Sequence, residues 1–333
     1  MKERDIAALA RRGKFKGKAF CGNLEETHIS WVILSPSVVF KIKKPLKLSF
    51  LDFSTVVKRR KFCEREVLLN SRFSDIYQGV VPIKKTESQW YFGGGRGETV
   101  DFAVQMKRMR SSKRMDSLLM NGKVKAAHIE KLARKISAFH KSAKVVHTPF
   151  SRRFLRDAFD DLAVINTFAA NHLGNRYSRI IAKAAAWNDS FLKTHSRRCS
   201  ERIRLGFQRD LHGDLHSGNI FLYAEPVIFD CLEFNDRFRQ VDVIDEVAFL
   251  CMDLEAFGER NLSALFLDRY ASLFSSFNSK VDLEIYNYYK CYRANVRAKV
   301  HALAAVEEEE ESRFQIRVDA VRKYLNLLVE YMG

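Results

Sequence analysis

Leu211-His-Gly-Asp-Leu-His-Ser-Gly-Asn219 is followed, after a short apolar run, by Val227-Ile-Phe-Asp230. Together these stretches place two carboxylates and an amide in a pattern that phosphoryl transfer can use. Asp214 is the candidate to orient an attacking hydroxyl and receive its proton, because a loose phosphoryl-transfer transition state asks mainly for positioning. Asn219, five residues on, and Asp230, at the end of an expected strand, are the candidate ligands of Mg2+. Magnesium prefers hard oxygen donors and commonly takes only one or two protein groups, with phosphates and water completing its shell. An Asp beside a Gly is also an ordinary turn residue, so the weight rests on the three groups together. His212 and His216 raise the rival idea of a metal site, but zinc needs three or four ligands and the sequence offers no further ones at metallohydrolase spacing. His212 reads better as a buttress of the loop, and His216 as a loop or supporting residue.

His212–Asn219 with Ile228-Phe-Asp230 resembles the catalytic segment of the aminoglycoside phosphotransferase-like kinases, which share the two-lobed protein kinase-like fold. Glu26-Thr-His-Ile-Ser-Trp31, Phe40-Lys-Ile-Lys-Lys-Pro45, Phe50-Leu-Asp-Phe-Ser54 and Cys231-Leu-Glu-Phe-Asn235 resemble an uncharacterised bacterial branch of that family. Some members of that branch carry a P-loop ATPase domain after the kinase-like one. The resemblance implies an α+β fold, with a β-rich N-lobe over residues 1–105 and a mainly helical C-lobe over residues 106–333. It implies ATP and Mg2+ as cofactors and a small-molecule hydroxyl as acceptor. The hinge is expected near Gln105–Lys107, where the backbone of Gln105 and Met106 would meet the adenine. No ATPase domain follows in these residues, so such a partner is expected on a separate chain.

The order of elements agrees with this reading. Residues 27–34 and 38–42 are β-rich and separated by Ser35-Pro-Ser37. Residues 55–73 read as a helix, 80–83, 89–92 and 99–106 as strands, and 124–142, 154–172 and 177–195 as amphipathic helices, with helices again from Val241 onward. Lys41, on a strand after apolar residues, is the candidate phosphate-binding lysine, much like the lysine of V-A-I-K. Lys43 shares its face and remains an alternative. The acidic partner is expected from the following helix, with Glu66 preferred to Glu64 because it precedes Val67-Leu-Leu69.

One departure stands out: no G-x-G-x-x-G lies between the first two expected strands, where the turn is Ser35-Pro-Ser37. Gly93–Gly97 comes too late for that role and reads as a hairpin tip. Gly13-Lys-Phe-Lys-Gly-Lys18 is no Walker loop either, since its glycines are one residue too close and Ala19 replaces the Ser/Thr. Between Glu233 and Glu246 the chain is dense in carboxylates. Helix capping and salt bridges account for most of them, with Glu233 kept as a marginal site candidate and a cationic acceptor as the alternative use.

The 333 residues are 47% hydrophobic and 29% charged, the balance of a globular chain. No apolar run approaches the roughly 20 residues that span a bilayer, and no secretory signal is expected from the first residues. Six scattered cysteines without C-x-x-C spacing suit reduced thiols and a cytoplasmic setting. The net charge of +17 is uneven: 14 Lys/Arg against 22 Asp/Glu from Arg209 onward give −8, against +25 before it. Such a basic half would suit a polyanion, yet no zinc-finger or RNA-binding signature accompanies it, and a nucleic-acid partner is disfavoured. The expected function is ATP-dependent phosphorylation of a small-molecule hydroxyl. The competing reading is a nucleotide-binding pseudokinase or regulator without acceptor turnover.

Overall fold

Val38–Lys43 alternates in the period-two manner of a strand, and its two faces enter two different cores. In the computed structural model, which describes residues 1–48 and 51–333, Val38, Phe40 and Ile42 face one apolar cluster and Val39 faces another. Lys41 and Lys43 share the face of Val39. Phe50, which opens the Phe50–Ser54 motif, lies outside the described residues.

The chain forms two compact units, Met1–Ser117 with Asn219–Phe238, and Leu118–Gly218 with Arg239–Gly333. Among the described residues the first unit carries an eight-stranded sheet. Its order is Lys18–Phe20, Gly13–Phe15, Trp90–Phe92, Tyr77–Lys85, Glu98–Lys107, Val38–Lys43, Ser30–Leu34 and Asn23–Glu26. Neighbours are antiparallel except Gly13–Phe15 beside Trp90–Phe92. On one face Phe40 stacks on Phe92 at 3.8 Å between centroids, and helix Glu3–Arg12 adds Ile6, Leu9 and Ala10. On the other face helix Val56–Asn70 packs through Cys63 against Val39, Val104 and Met106. Thr55 caps that helix, its hydroxyl accepting the Lys58 N–H at 3.3 Å. Buried Arg59 ties it to the sheet, donating to both Asp101 oxygens at 2.9 and 3.0 Å and to the Phe53 carbonyl at 2.9 Å.

The second unit is mainly helical, with Val243–Ala256 buried along almost its whole length. Around it lie Ala126–Ser142, Asn175–Arg204, Arg260–Leu273, Lys280–Val306 and Glu311–Met332. The single helix expected over 154–172 is interrupted: Arg152–Asp160 gives way to a 3₁₀ turn, Asp161–Ile165, before Asn166–Leu173. Asp160, Asp161 and Asn166 are residue types whose side chains compete for backbone hydrogen bonds. The next helix, expected over 177–195, extends over Asn175–Arg204. Gly93–Gly97 is not a hairpin tip, because the strands it joins lie on opposite sides of Tyr77–Lys85. No helix among the described residues is long and apolar enough to cross a membrane.

Candidate active site

In the first unit the strand period brings Lys41 and Lys43 to one buried glutamate. Lys41 Nζ lies 2.9 Å from Glu66 Oε1 and 2.6 Å from Asp230 Oδ1. Lys43 Nζ lies 2.8 Å from Glu66 Oε2 and also pairs with Glu233. The two ammonium groups therefore share Glu66, one on each oxygen. Burial works against every charge here, but the opposing charges prevail. They keep both lysines protonated well above the ordinary lysine range, and Lys41 and Lys43 hold the Glu66 carboxyl down to about 2. Lys43 is fully enclosed, with its ammonium 4.9 Å from the Phe53 ring centre, whereas the Lys41 side chain keeps 14% of its surface exposed.

Asn219 and Asp230 leave the same end of one hairpin. Ile220–Leu222 pairs with Pro226–Ile228, and the Phe229 N–H donates to the Asn219 carbonyl at 3.1 Å. Asp230 adopts a left-handed φ of 63°, a conformation that costs a non-glycine residue energy and requires support from its surroundings. Neighbours supply it: the Asp230 N–H donates to the Tyr77 hydroxyl at 3.0 Å, and the Cys231 N–H to Asn70 Oδ1 at 2.8 Å. Asn70 in turn donates to the Glu66 carbonyl at 2.9 Å, so the glutamate helix and the Asp230 turn are linked. Gln105 and Met106 sit on Glu98–Lys107, opposite Phe40 and Val39 of the lysine strand, and Met106 shares an apolar cluster with Val39, Val227 and Phe229.

Asp214 belongs to the second unit, on a loop clamped by charge. One Glu246 oxygen accepts the N–H groups of His212 and Gly213 at 2.8 and 2.7 Å, and the other meets His140 Nε2 at 2.8 Å. Burial pushes the Glu246 carboxyl upward, but these bonds outweigh it and leave its pKa lowered. Arg293 pairs with Asp245 through two bonds, at 2.6 and 2.9 Å, and donates to the Gly213 carbonyl at 3.2 Å. The Asp214 N–H donates to His212 Nδ1 at 3.3 Å, consistent with His212 as a buttress. His216 Nε2 lies 3.4 Å from Asp214 Oδ2, and against the cost of burial it helps to hold that carboxyl well below its usual range.

Of the Glu233–Glu246 carboxylates, Asp242 caps helix Val243–Ala256 through Ile244 N–H at 2.9 Å and Asp236 pairs with Arg65. Glu233, Asp245 and Glu246 have the partners given above. The density is thus spent on structure rather than left facing a cationic acceptor. Sequence reasoning did not find the Lys43–Glu233 pairing, which joins residues 190 apart. It also did not find the Glu246 clamp or the Arg293 contact.

Comparisons with known proteins follow this geometry. No family model matches the chain. Three solved structures resemble it along nearly its whole length. One is a choline/ethanolamine kinase family protein from Mesorhizobium loti, at 12% identity and TM-score 0.51, covering 99% of both chains. Another is the GDP and kanamycin complex of APH(2")-IIIa, an aminoglycoside phosphotransferase, at 11% and 0.52, covering 97% of this chain and 98% of that one. The third is an ethanolamine kinase from Plasmodium vivax, at 9% and 0.51, covering 93% and 81%. The fold is protein kinase-like. Uncharacterized proteins of Mycobacterium tuberculosis and Mycobacterium bovis are 31% identical over 310 residues, 90% of this chain and 58% of theirs. The chain therefore spans 58% of the length of these curated relatives.

Thr27-His28-Ile29 is the turn between Asn23–Glu26 and Ser30–Leu34, and Ser35-Pro-Ser37 joins Ser30–Leu34 to Val38–Lys43. Thr27 closes the first of these turns: the Ser30 N–H donates to its hydroxyl, which donates to the Ser30 carbonyl, both at 3.0 Å.

Proposed function

We propose that the protein transfers the γ-phosphoryl group of ATP to a hydroxyl of a small molecule, with Asp214 orienting that hydroxyl and accepting its proton. The observation that carries this reading is Lys41, whose ammonium lies between Glu66 and Asp230. Such a lysine, paired with a helix glutamate and adjoining a metal-binding aspartate, is the nucleotide-phosphate arrangement of kinases. In this reading Lys41 binds the α- and β-phosphates, Glu66 orients it, and the backbone of Gln105 and Met106 meets the adenine beside Val39, Val227 and Phe229. Lys41 suits the phosphates better than Lys43, because Lys43 is fully buried whereas the Lys41 side chain keeps part of its surface exposed.

Asn219 and Asp230 fit Mg2+. Both offer hard oxygen donors at one end of a hairpin, and Lys41 engages only Oδ1 of Asp230. Bound there, the ion would neutralise charge on the β- and γ-phosphates. A P-loop ATPase domain is proposed as a partner from the branch resemblance.

The test is incubation with γ-labelled ATP, magnesium and a small-molecule cell extract, with Asp214→Asn in parallel. A labelled product from the unmutated protein is expected. The variant should be slower by ~10²–10⁴-fold, the usual contribution of a positioned general base, with Mg-ATP binding retained. If both proteins bind Mg-ATP and neither labels anything, a nucleotide-binding regulator becomes the better reading.

A further inference from the structure

Helices Lys280–Val306 and Glu311–Met332 of the second unit pack against each other and carry cations that the catalytic reading does not use. Arg293 fixes the orientation of the first helix, since it reaches the Gly213 carbonyl next to Asp214. Arg297 lies one helical turn further along the same face, and His301 one turn beyond that. Arg317, Lys323 and Tyr324 come from the second helix.

Among the described residues none of Arg297, Arg317 and Lys323 forms an ion pair with a carboxylate, and the buried Arg297 Nε has no hydrogen-bond partner. His301 lies between the two guanidinium groups, with Nε2 3.4 Å from Arg297 Nη2 and Nδ1 3.3 Å from Arg317 Nη1. Its ring stacks on Tyr324 at 5.5 Å. A neutral imidazole has one donor and one accepting nitrogen. It can therefore satisfy only one of the two arginines, and the other meets an N–H with an N–H. Protonating the ring would make both contacts donor against donor. Burial and the adjacent arginines in fact push the His301 pKa down to about 3, keeping the ring neutral. The carboxylates whose charge acts on Arg297 are Asp253 and Asp214, and Asp253 Oδ2 accepts the Ser217 N–H at 2.7 Å. What the cluster lacks is an acceptor-rich anion beside Asp214.

We propose that Arg297, Arg317 and Lys323 form the acceptor subsite, and that the alcohol phosphorylated here carries a phosphate or carboxylate group. The proposal rests on Asp214 as the catalytic residue and adds the chemical class of the acceptor. A cationic alcohol would meet like charge from three side chains, while an anionic one would supply the missing acceptor oxygens.

The experiment is calorimetric titration of the full chain with glycerol 3-phosphate, glycerate and choline, with and without Mg2+ and a non-hydrolysable ATP analogue. Both anions are expected to bind and choline is not, and the stronger of the two anions identifies the charged group. Arg317→Gln and Lys323→Gln should each weaken the anions about tenfold and leave the ATP analogue within about twofold, the loss of one charge-assisted contact. Lys323 is exposed, so its variant guards against misfolding. Choline binding in preference to the anions, or anion affinity unmoved in both variants, overturns the proposal. So does an equal loss for the ATP analogue, which would assign the cluster to nucleotide phosphate. If the unmutated chain binds anions but not the analogue, it is the kinase reading that falls.

Discussion

The lysine cluster of the first unit and the arginine cluster of the second treat positive charge in opposite ways. Lys41 and Lys43 meet three carboxylates, Glu66, Asp230 and Glu233, each within ion-pair reach. Arg297, Arg317 and Lys323 meet a neutral histidine, a tyrosine ring and no ion-pair partner among the described residues. A compensated cluster depends on each member, because removing one leaves the others buried and unpaired. An uncompensated cluster is costly until a ligand arrives, which is how a binding site differs from a structural bridge.

The largest test of that contrast is Lys43→Met. Lys43 is fully buried between Glu66 and Glu233, so its loss should destabilise the fold by about 3–5 kcal/mol, the usual cost of orphaning a buried charge. Denaturant unfolding measures it, and Lys43→Met combined with Glu233→Gln should recover a large part. An unchanged midpoint for the single variant would break the comparison, since the cluster would then not depend on its charge balance. A smaller effect comes from acid. The Glu66 carboxyl is held below the ordinary glutamate value of 4.5, at about 2, chiefly against burial by Lys41 and Lys43. A depressed carboxyl contributes stability that is complete above the unfolded value and lost as pH falls through the folded one. Melting temperature should therefore drop between pH 4.5 and about 2, and Glu66→Gln should flatten that part of the profile.

The compensated cluster was half legible in the sequence. Alternation in Val38–Lys43 put both lysines on one face, and Glu66 stood out at the start of an apolar run. The Glu233 partner did not, because chain spacing carries no information about a contact 190 residues away. Strand Asn23–Glu26 was also missed. It is an edge strand with every residue exposed, so it has no apolar alternation to betray it. Helix Glu3–Arg12 was passed over in a charged N-terminus, although Ile6, Leu9 and Ala10 form a buried stripe. Arg297, Arg317 and Lys323 carried no signal in the sequence, and only the pairing of the two helices brings Arg297 and Arg317 to one histidine. For both charge clusters the long-range partner was what the sequence could not supply.

Arg317→Gln is the smallest expected effect and the sharpest. Arg317 has no carboxylate to orphan among the described residues, so unfolding free energy at neutral pH should change by no more than about 0.5 kcal/mol, as for an ordinary surface substitution. The variant should still register at His301. Burial, then Arg297 and Arg317, hold that imidazole at about 3 against its ordinary 6.5. A histidine with a depressed pKa binds its proton more readily when unfolded, so stability is lost as pH falls from 6.5 toward 3. Without Arg317 the His301 pKa should rise, as followed by NMR titration, and the acid loss in that window should shrink. A large destabilisation at neutral pH would instead mean that Arg317 has a structural anion as partner, and the second cluster would be compensated like the first.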